Sequence, residues 1–154
     1  MNVKATLSPD DLARACADSM WKEDDASSGL GMKIVEVGSG RATLTMRVAP
    51  HMVNGQRIAH GGFIFTLADS AFAFACNSHN QKSVAAQGDI TFIRPGKLGD
   101  ELVATAREIS RSGRSGIYDV QVTVDGEVIA EFRGHSRTIG GTWLPSNETG
   151  SKQK

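Results

Sequence analysis

Between His60 and Lys82 a single side chain is formally charged, the carboxylate of Asp69, and nearly all its neighbours are apolar. A carboxylate in that setting is costly unless something compensates it. Thr66, Asp69 and Ser70 recur at spacings of three and four, so on a helix they form one narrow polar stripe. The rest of that helix is Phe63, Ile64, Phe65, Leu67, Ala71, Phe72 and Phe74. Two roles fit Asp69. It can bond a nearby backbone group or pair with a basic residue of a sheet, as buried carboxylates usually do. Alternatively, burial raises its pKa and readies it as a base or nucleophile.

His60-Gly61-Gly62 stands directly before this stretch, where the unpaired N–H groups of a helix start gather at the positive end of its dipole. Such a terminus can polarise a carbonyl, and paired glycines let a substrate approach the main chain. The same three residues also suit a plain loop-to-helix turn, with His60 fixing the loop. Asn54 with Gly55 also suits a plain turn. Asp69 lies eight residues beyond Gly61, roughly 12 Å along a helix rising ~1.5 Å per residue. One chain cannot bring both to one carbonyl. If both act together, Asp69 of one subunit must meet Gly61 of another, which predicts a homodimer with shared sites.

The flanking sequence supplies the frame. Ser8 followed by Pro9, Asp10 and Asp11 has the pattern of a helix start, and apolar spacing carries the helix to about Trp21. Lys22 to Gly31 reads as a polar connection. From Met32 the period becomes two: Ala42, Leu44, Met46 and Val48 alternate with polar residues after a Gly38-Ser39-Gly40 hairpin turn. The apolar helix spans Gly61 to Asn77. Strands then follow over 84–94, 101–109, 117–124 and 128–137, the last two joined at Asp125-Gly126. A helix apolar on nearly every side needs a wrapping partner. The expected fold is therefore α+β, an antiparallel sheet of five to six strands curled round one long central helix, with a short N-terminal helix. It forms one domain over 1–142, followed by a disordered tail over 143–154 whose polar character begins near Gly140.

Composition narrows the partners. Lys plus Arg and Asp plus Glu number 17 each, so no net field draws the chain to nucleic acid or anionic lipid. The longest apolar stretch has Asp69 at its middle and is too short to span a bilayer. Met1 to Ser8 lacks a signal-peptide pattern. Two distant cysteines, Cys16 and Cys76, make neither a disulfide framework nor a metal set, which points to a reducing cytoplasm. The sequon at Asn147 would matter only in a secreted protein. His51, His60, His79 and His135 show no ligand spacing, so no metal is expected.

Several motifs together, over about Leu30 to Thr142, resemble the hot-dog thioesterases and within them the PaaI-type phenylacetic acid degradation proteins. They are Asn54-Gly55, His60-Gly61-Gly62, Ala68-Asp69, the run from Asp89 through Phe92-Ile93-Arg94-Pro95-Gly96, Phe132-Arg133-Gly134, and Ile139-Gly140-Gly141. The resemblance implies an acyl-CoA thioesterase acting on aryl-type thioesters such as phenylacetyl-CoA or its ring-hydroxylated forms. Asp69 would be nucleophile or general base, the Gly61 N–H would bind the thioester oxygen, Asn54 would orient water or the carbonyl, and His60 would support the loop. It also implies a homotetramer, a dimer of dimers sharing active sites. By position, Arg111, Ser112, Gly113 and Arg114 would contact CoA, with Arg137 a further candidate; a solvated hairpin loop is the other reading. Some relatives carry a serine or threonine on the strand after the helix, where this chain has Ala85 and Ala86. No cofactor is needed, because a thioester is already activated. A hot-dog enoyl-CoA hydratase and a non-catalytic acyl-CoA-binding protein are the alternatives. Phe63, Phe65, Phe72 and Phe74 either line an aromatic acyl pocket or simply form core.

Overall fold

A computed structural model describes residues 6–145. The N-terminal helix α1 (Pro9–Trp21) starts as its sequence dictates, with the Ser8 hydroxyl accepting the Asp11 N–H at 3.1 Å and Pro9 in the first turn. The connection after it is not featureless. The Asp24 carboxylate caps a single-turn helix, α2 (Asp25–Gly29), by accepting the Ser27 N–H at 2.9 Å. Five residues are too few to carry a periodic signal.

Six antiparallel strands follow: β1 (Lys33–Gly38), β2 (Arg41–Arg47), β3 (Ser83–Phe92), β4 (Glu101–Ser112), β5 (Ser115–Val124) and β6 (Glu127–Thr138), with the long helix α3 (Gly61–Cys76) between β2 and β3. They form one sheet in the order β1-β2-β4-β5-β6-β3. Sequence neighbours pair wherever a hairpin joins them, and Asp125-Gly126 adopts the positive φ values, 49° and 79°, that a tight two-residue turn requires. The strand after α3 crosses to the far edge, so β3 pairs only with β6.

The inward face of the sheet carries Leu44, Met46, Leu102, Ala104, Tyr118, Val120, Val122 and Phe132 against Leu67, Ala68, Ala71, Phe72 and Phe74 of α3, all nearly inaccessible to water. Each large side chain so buried contributes roughly 1.5–3 kcal/mol of transfer free energy. Close approach of helix and sheet depends on Gly134, where a Cβ would sit 2.8 Å from the Phe72 ring. The helix is anchored at its C-terminal end too, because the Asn77 side chain donates to Ala73 O and Ser83 O and accepts from Ser83 N.

The start of the expected tail is corrected. Trp143 donates its indole N–H to Asn77 Oδ1 at 2.9 Å, and the backbone N–H groups of Trp143 and Leu144 both donate to Asn80 Oδ1 at 3.0 Å. Lys82 Nζ lies 4.8 Å from the centroid of the Trp143 ring. These contacts hold the segment against α3, and a polar composition could not reveal them because they rest on one aromatic anchor. The remainder of the expected tail, with the Asn147 sequon, and the first five residues lie outside the described residues. Among the described residues no helix is long and apolar enough to cross a membrane.

Candidate active site

The polar stripe on α3 divides by function. Thr66 turns back on its own helix and donates to Gly62 O at 2.8 Å. Ser70 meets Ser27 of α2 at 2.8 Å, and Ser27 in turn donates to Asp24 at 2.7 Å. Only Asp69 is left over. Its half-buried carboxyl has a pKa raised by burial, with no hydrogen bond or cation among the described residues offsetting the effect. A merely structural carboxylate would have found a partner.

At the other end of the helix, His60 is the N-cap. Its Nδ1 accepts the Gly62 N–H at 2.9 Å and its own N–H donates to Met52 O at 2.7 Å. The bond to Gly62 leaves the Gly61 N–H with no acceptor among the described residues. Gly61 is required for a second reason. A Cβ there would lie 2.8 Å from Cζ of Phe92, whose ring is packed onto the helix start. Asn54 organises the preceding loop: its Oδ1 accepts from Gln56 N at 3.0 Å and Ile58 N at 3.4 Å, so it does make the turn. Its Nδ2 has no acceptor among the described residues and remains available.

Asn54 and Gly61 share a groove of about 500 Å³ with Ile58, Ile64, Phe92 and Ile93. This is an apolar channel with two N–H donors. Asp69 does not line it, in keeping with the helical separation from Gly61. The groove aromatic is Phe92, which in the sequence stands only as part of a longer motif. Of the four helix phenylalanines, Phe72 and Phe74 are core at 1 % exposure, Phe65 packs edge-on against Phe132, and Phe63 packs against His51 and His60. None lines the groove. The signal that could have found Phe92 is an aromatic placed just before Arg94-Pro95, at a strand end.

The basic residues lie at the far end of α3. Arg111, Ser112, Gly113 and Arg114 form the β4–β5 hairpin, turning at Gly113 with φ 57°. Arg111 Nε is 3.8 Å from Glu108, a carboxylate that also accepts from Tyr118 at 2.7 Å and faces His79 at 2.8 Å. Arg114 donates to Thr138 O at 2.9 Å, next to Arg137. Arg111, Arg114 and Arg137 thus gather at one end of the sheet, apart from Asn54, His60 and Gly61. Ala85 and Ala86 are exposed on β3 and offer no hydroxyl. Cys76 is no rival nucleophile, since burial first and the Asp69 charge second push its thiol up to about 12.

Comparison with known proteins accords with this geometry. Residues 56–131 match the thioesterase superfamily. The chain is 42 % identical to the acyl-coenzyme A thioesterase PaaI of Escherichia coli strain K12 over 82 % of its own length and 91 % of that protein. The solved structure of the E. coli PaaI protein, from the phenylacetic acid degradation operon, superposes with a TM-score of 0.86 at 40 % identity, covering 88 % of this chain and 99 % of that one. A Streptococcus mutans UA159 protein bound to acetyl-CoA matches with a TM-score of 0.70 at 28 % identity, over 72 % of this chain and 90 % of that one. An unpartnered helix carboxylate, a free N–H at the same helix's start, and these likenesses together place the chain in the thioesterase superfamily, among the hot-dog-fold acyl-CoA thioesterases of PaaI type.

Proposed function

We propose that the chain hydrolyses aryl-type acyl-CoA thioesters, phenylacetyl-CoA or a ring-hydroxylated form, through a site built from two subunits. The observation that carries this reading is the Asp69 carboxylate, half-buried and without a partner among the described residues. The thioester oxygen accepts from the Gly61 N–H, and Asn54 Nδ2 donates to the same oxygen or to water. Negative charge that develops on that oxygen is met by the positive end of α3. Asp69 of the partner subunit either takes a proton from water as that water adds to the carbonyl carbon, or attacks the carbon itself; the C–S bond breaks and CoA leaves as its thiolate, and after direct attack water hydrolyses the acyl-Asp69 anhydride to free acid and restores the carboxylate. His60 fixes the loop through its cap.

Pairing of subunits is supported by β3. It is an edge strand exposed along nearly all its length, with Val84 and Phe92 at 46 % and 50 % exposure, and Ile93 just beyond it at 50 %. A long open edge of this kind invites a second copy. Two β3 strands pair antiparallel about a twofold axis, and two such dimers assemble as a homotetramer. The aryl preference is supported by the E. coli relative's operon and by the apolar groove beside Gly61. The buried free thiols of Cys16 and Cys76 suit a reducing cytoplasm, and the reaction needs no cofactor beyond the CoA of its substrate.

Thiol release tests the assignment. Phenylacetyl-CoA should be turned over with a kcat/KM about tenfold or more above that for octanoyl-CoA. Equal values would remove the aryl preference, and release from neither would remove the activity.

A further inference from the structure

Four consecutive side chains at the end of α3 each tie it to a different part of the fold. Ser78 accepts the Gly40 N–H of the β1–β2 turn at 2.8 Å. His79 faces Glu108 of β4 at 2.8 Å. Asn80, in the left-handed region at φ 57°, accepts the N–H groups of Trp143 and Leu144. Asn77 reaches Ser83, the first residue of β3, and β3 is the strand through which the subunits pair.

The Asn77 amide is 2 % exposed and uses its full bonding capacity. Its Nδ2 donates to Ala73 O at 2.9 Å and to Ser83 O at 3.2 Å, while its Oδ1 accepts from Ser83 N at 2.8 Å and from the Trp143 indole N–H at 2.9 Å. Two donors aimed at Oδ1 and two carbonyls facing Nδ2 leave the amide one orientation. Among the described residues, the two bonds to Ser83 are the only hydrogen bonds that join α3 or its cap to β3. Elsewhere the two elements meet through apolar groups: the Phe92 ring packs onto Gly61, and a Cβ on Gly88 would lie 3.3 Å from Cζ of Phe65. Apolar contact is non-directional and lets surfaces slide, whereas a hydrogen bond fixes distance and angle.

This polar tie bears on the reaction because the site is divided between subunits. Asp69 lies about two helical turns before Asn77 on α3. When two β3 strands pair antiparallel, the Ser83 end of one lies beside the Phe92 end of the other, and each Phe92 packs on the Gly61 of its own subunit. The path from the carboxylate to its oxyanion donor therefore runs from Asp69 through Asn77 and Ser83 to the partner's Phe92 and the partner's Gly61. From this we infer that Asn77 is a positioning residue for the hydrolysis: it holds β3 at a fixed offset from α3, so that Asp69 meets the partner's Gly61, and Trp143 locks its amide. Asn77 touches no reacting atom. The inference rests on the shared-site thioesterase reading and deepens it.

Asn77→Ala should lower kcat for phenylacetyl-CoA about a hundredfold, since a displacement of roughly 1 Å at the reacting atoms can cost ~10² in rate, and should leave KM within about twofold. Ser78→Ala is the control. It removes a buried hydroxyl from the same helix end, but one that serves the β1–β2 turn rather than β3. It should melt below wild type yet keep kcat per folded dimer. Trp143→Phe, which keeps an aromatic ring and loses the indole N–H, should lower kcat about fivefold, and it carries the test if Asn77→Ala fails to fold. Hydrogen exchange of the β3 amides should quicken in Asn77→Ala, whereas Ser78→Ala should quicken those of β1 and β2 instead. Equal kcat losses in Asn77→Ala and Ser78→Ala, a loss confined to KM, wild-type kcat in Trp143→Phe, or unchanged β3 exchange in Asn77→Ala would overturn the assignment. If wild type released no thiol from phenylacetyl-CoA, the thioesterase reading would fail, while the exchange rates would still decide whether Asn77 holds β3.

Discussion

Asp69→Asn should lower kcat for thioester hydrolysis about a thousandfold while the protein stays folded. The amide keeps the shape of the carboxyl and loses both its basicity and its charge, so it can neither attack the carbonyl nor take a proton from water. Burial raises the pKa of this group. Activity should therefore fall as pH drops through a value above the ordinary carboxylate range, and the variant should lack that acid limb. The same shift fixes the sign of the stability change. A carboxyl whose pKa is higher in the folded than in the unfolded chain destabilises the fold above the folded pKa, and that cost vanishes below the unfolded pKa. At neutral pH Asp69→Asn should thus melt at the same temperature as wild type or higher, and the gap should close in acid. A variant both inactive and unfolded would mean that Asp69 is structural; a pH–rate profile and a thermal melt distinguish the cases.

Gly61→Ala should lower kcat/KM about a hundredfold. Its Cβ would lie 2.8 Å from Phe92 Cζ, so the ring or the helix start must shift, and the N–H that faces the groove shifts with it. Loss of one well-aimed donor to an oxyanion typically costs ~10²–10³ in rate. The clash is with the end of a side chain that is half exposed. A Gly61→Ala, Phe92→Ala double variant should therefore recover part of the activity, as steady-state kinetics would show. No recovery would locate the damage in the backbone alone.

Much of this site was legible because α3 breaks a strong rule. A lone carboxylate among phenylalanines marks itself, and the glycines before it mark the helix start. The hairpins were legible for a similar reason, since Asp125-Gly126 and the alternation around Tyr118 are local signals. Strand order was not. β3 follows α3 in sequence yet lies at the far edge beside β6, a matter of long-range packing that periodicity does not encode. Nor could spacing separate Thr66 and Ser70 from Asp69. All three share a helix face, and only the bonds to Gly62 O and Ser27 show that two of them are structural. Phe92 escaped notice because its importance lies in a contact with Gly61, thirty-one positions earlier in the chain. The candidate CoA hairpin was legible by position, but not that its Arg111 lies beside Glu108 and its Arg114 donates to Thr138 O.

A single site made from Gly61 of one subunit and Asp69 of the other can be probed by mixing two impaired variants. Asp69→Asn retains Gly61, and Gly61→Ala retains Asp69. Co-expressed in equal amounts, they should form mixed dimers in which one of the two sites is intact, giving about a quarter of wild-type thiol release from phenylacetyl-CoA, far above either variant alone. Activity no greater than the mean of the two separate variants would contradict a shared site.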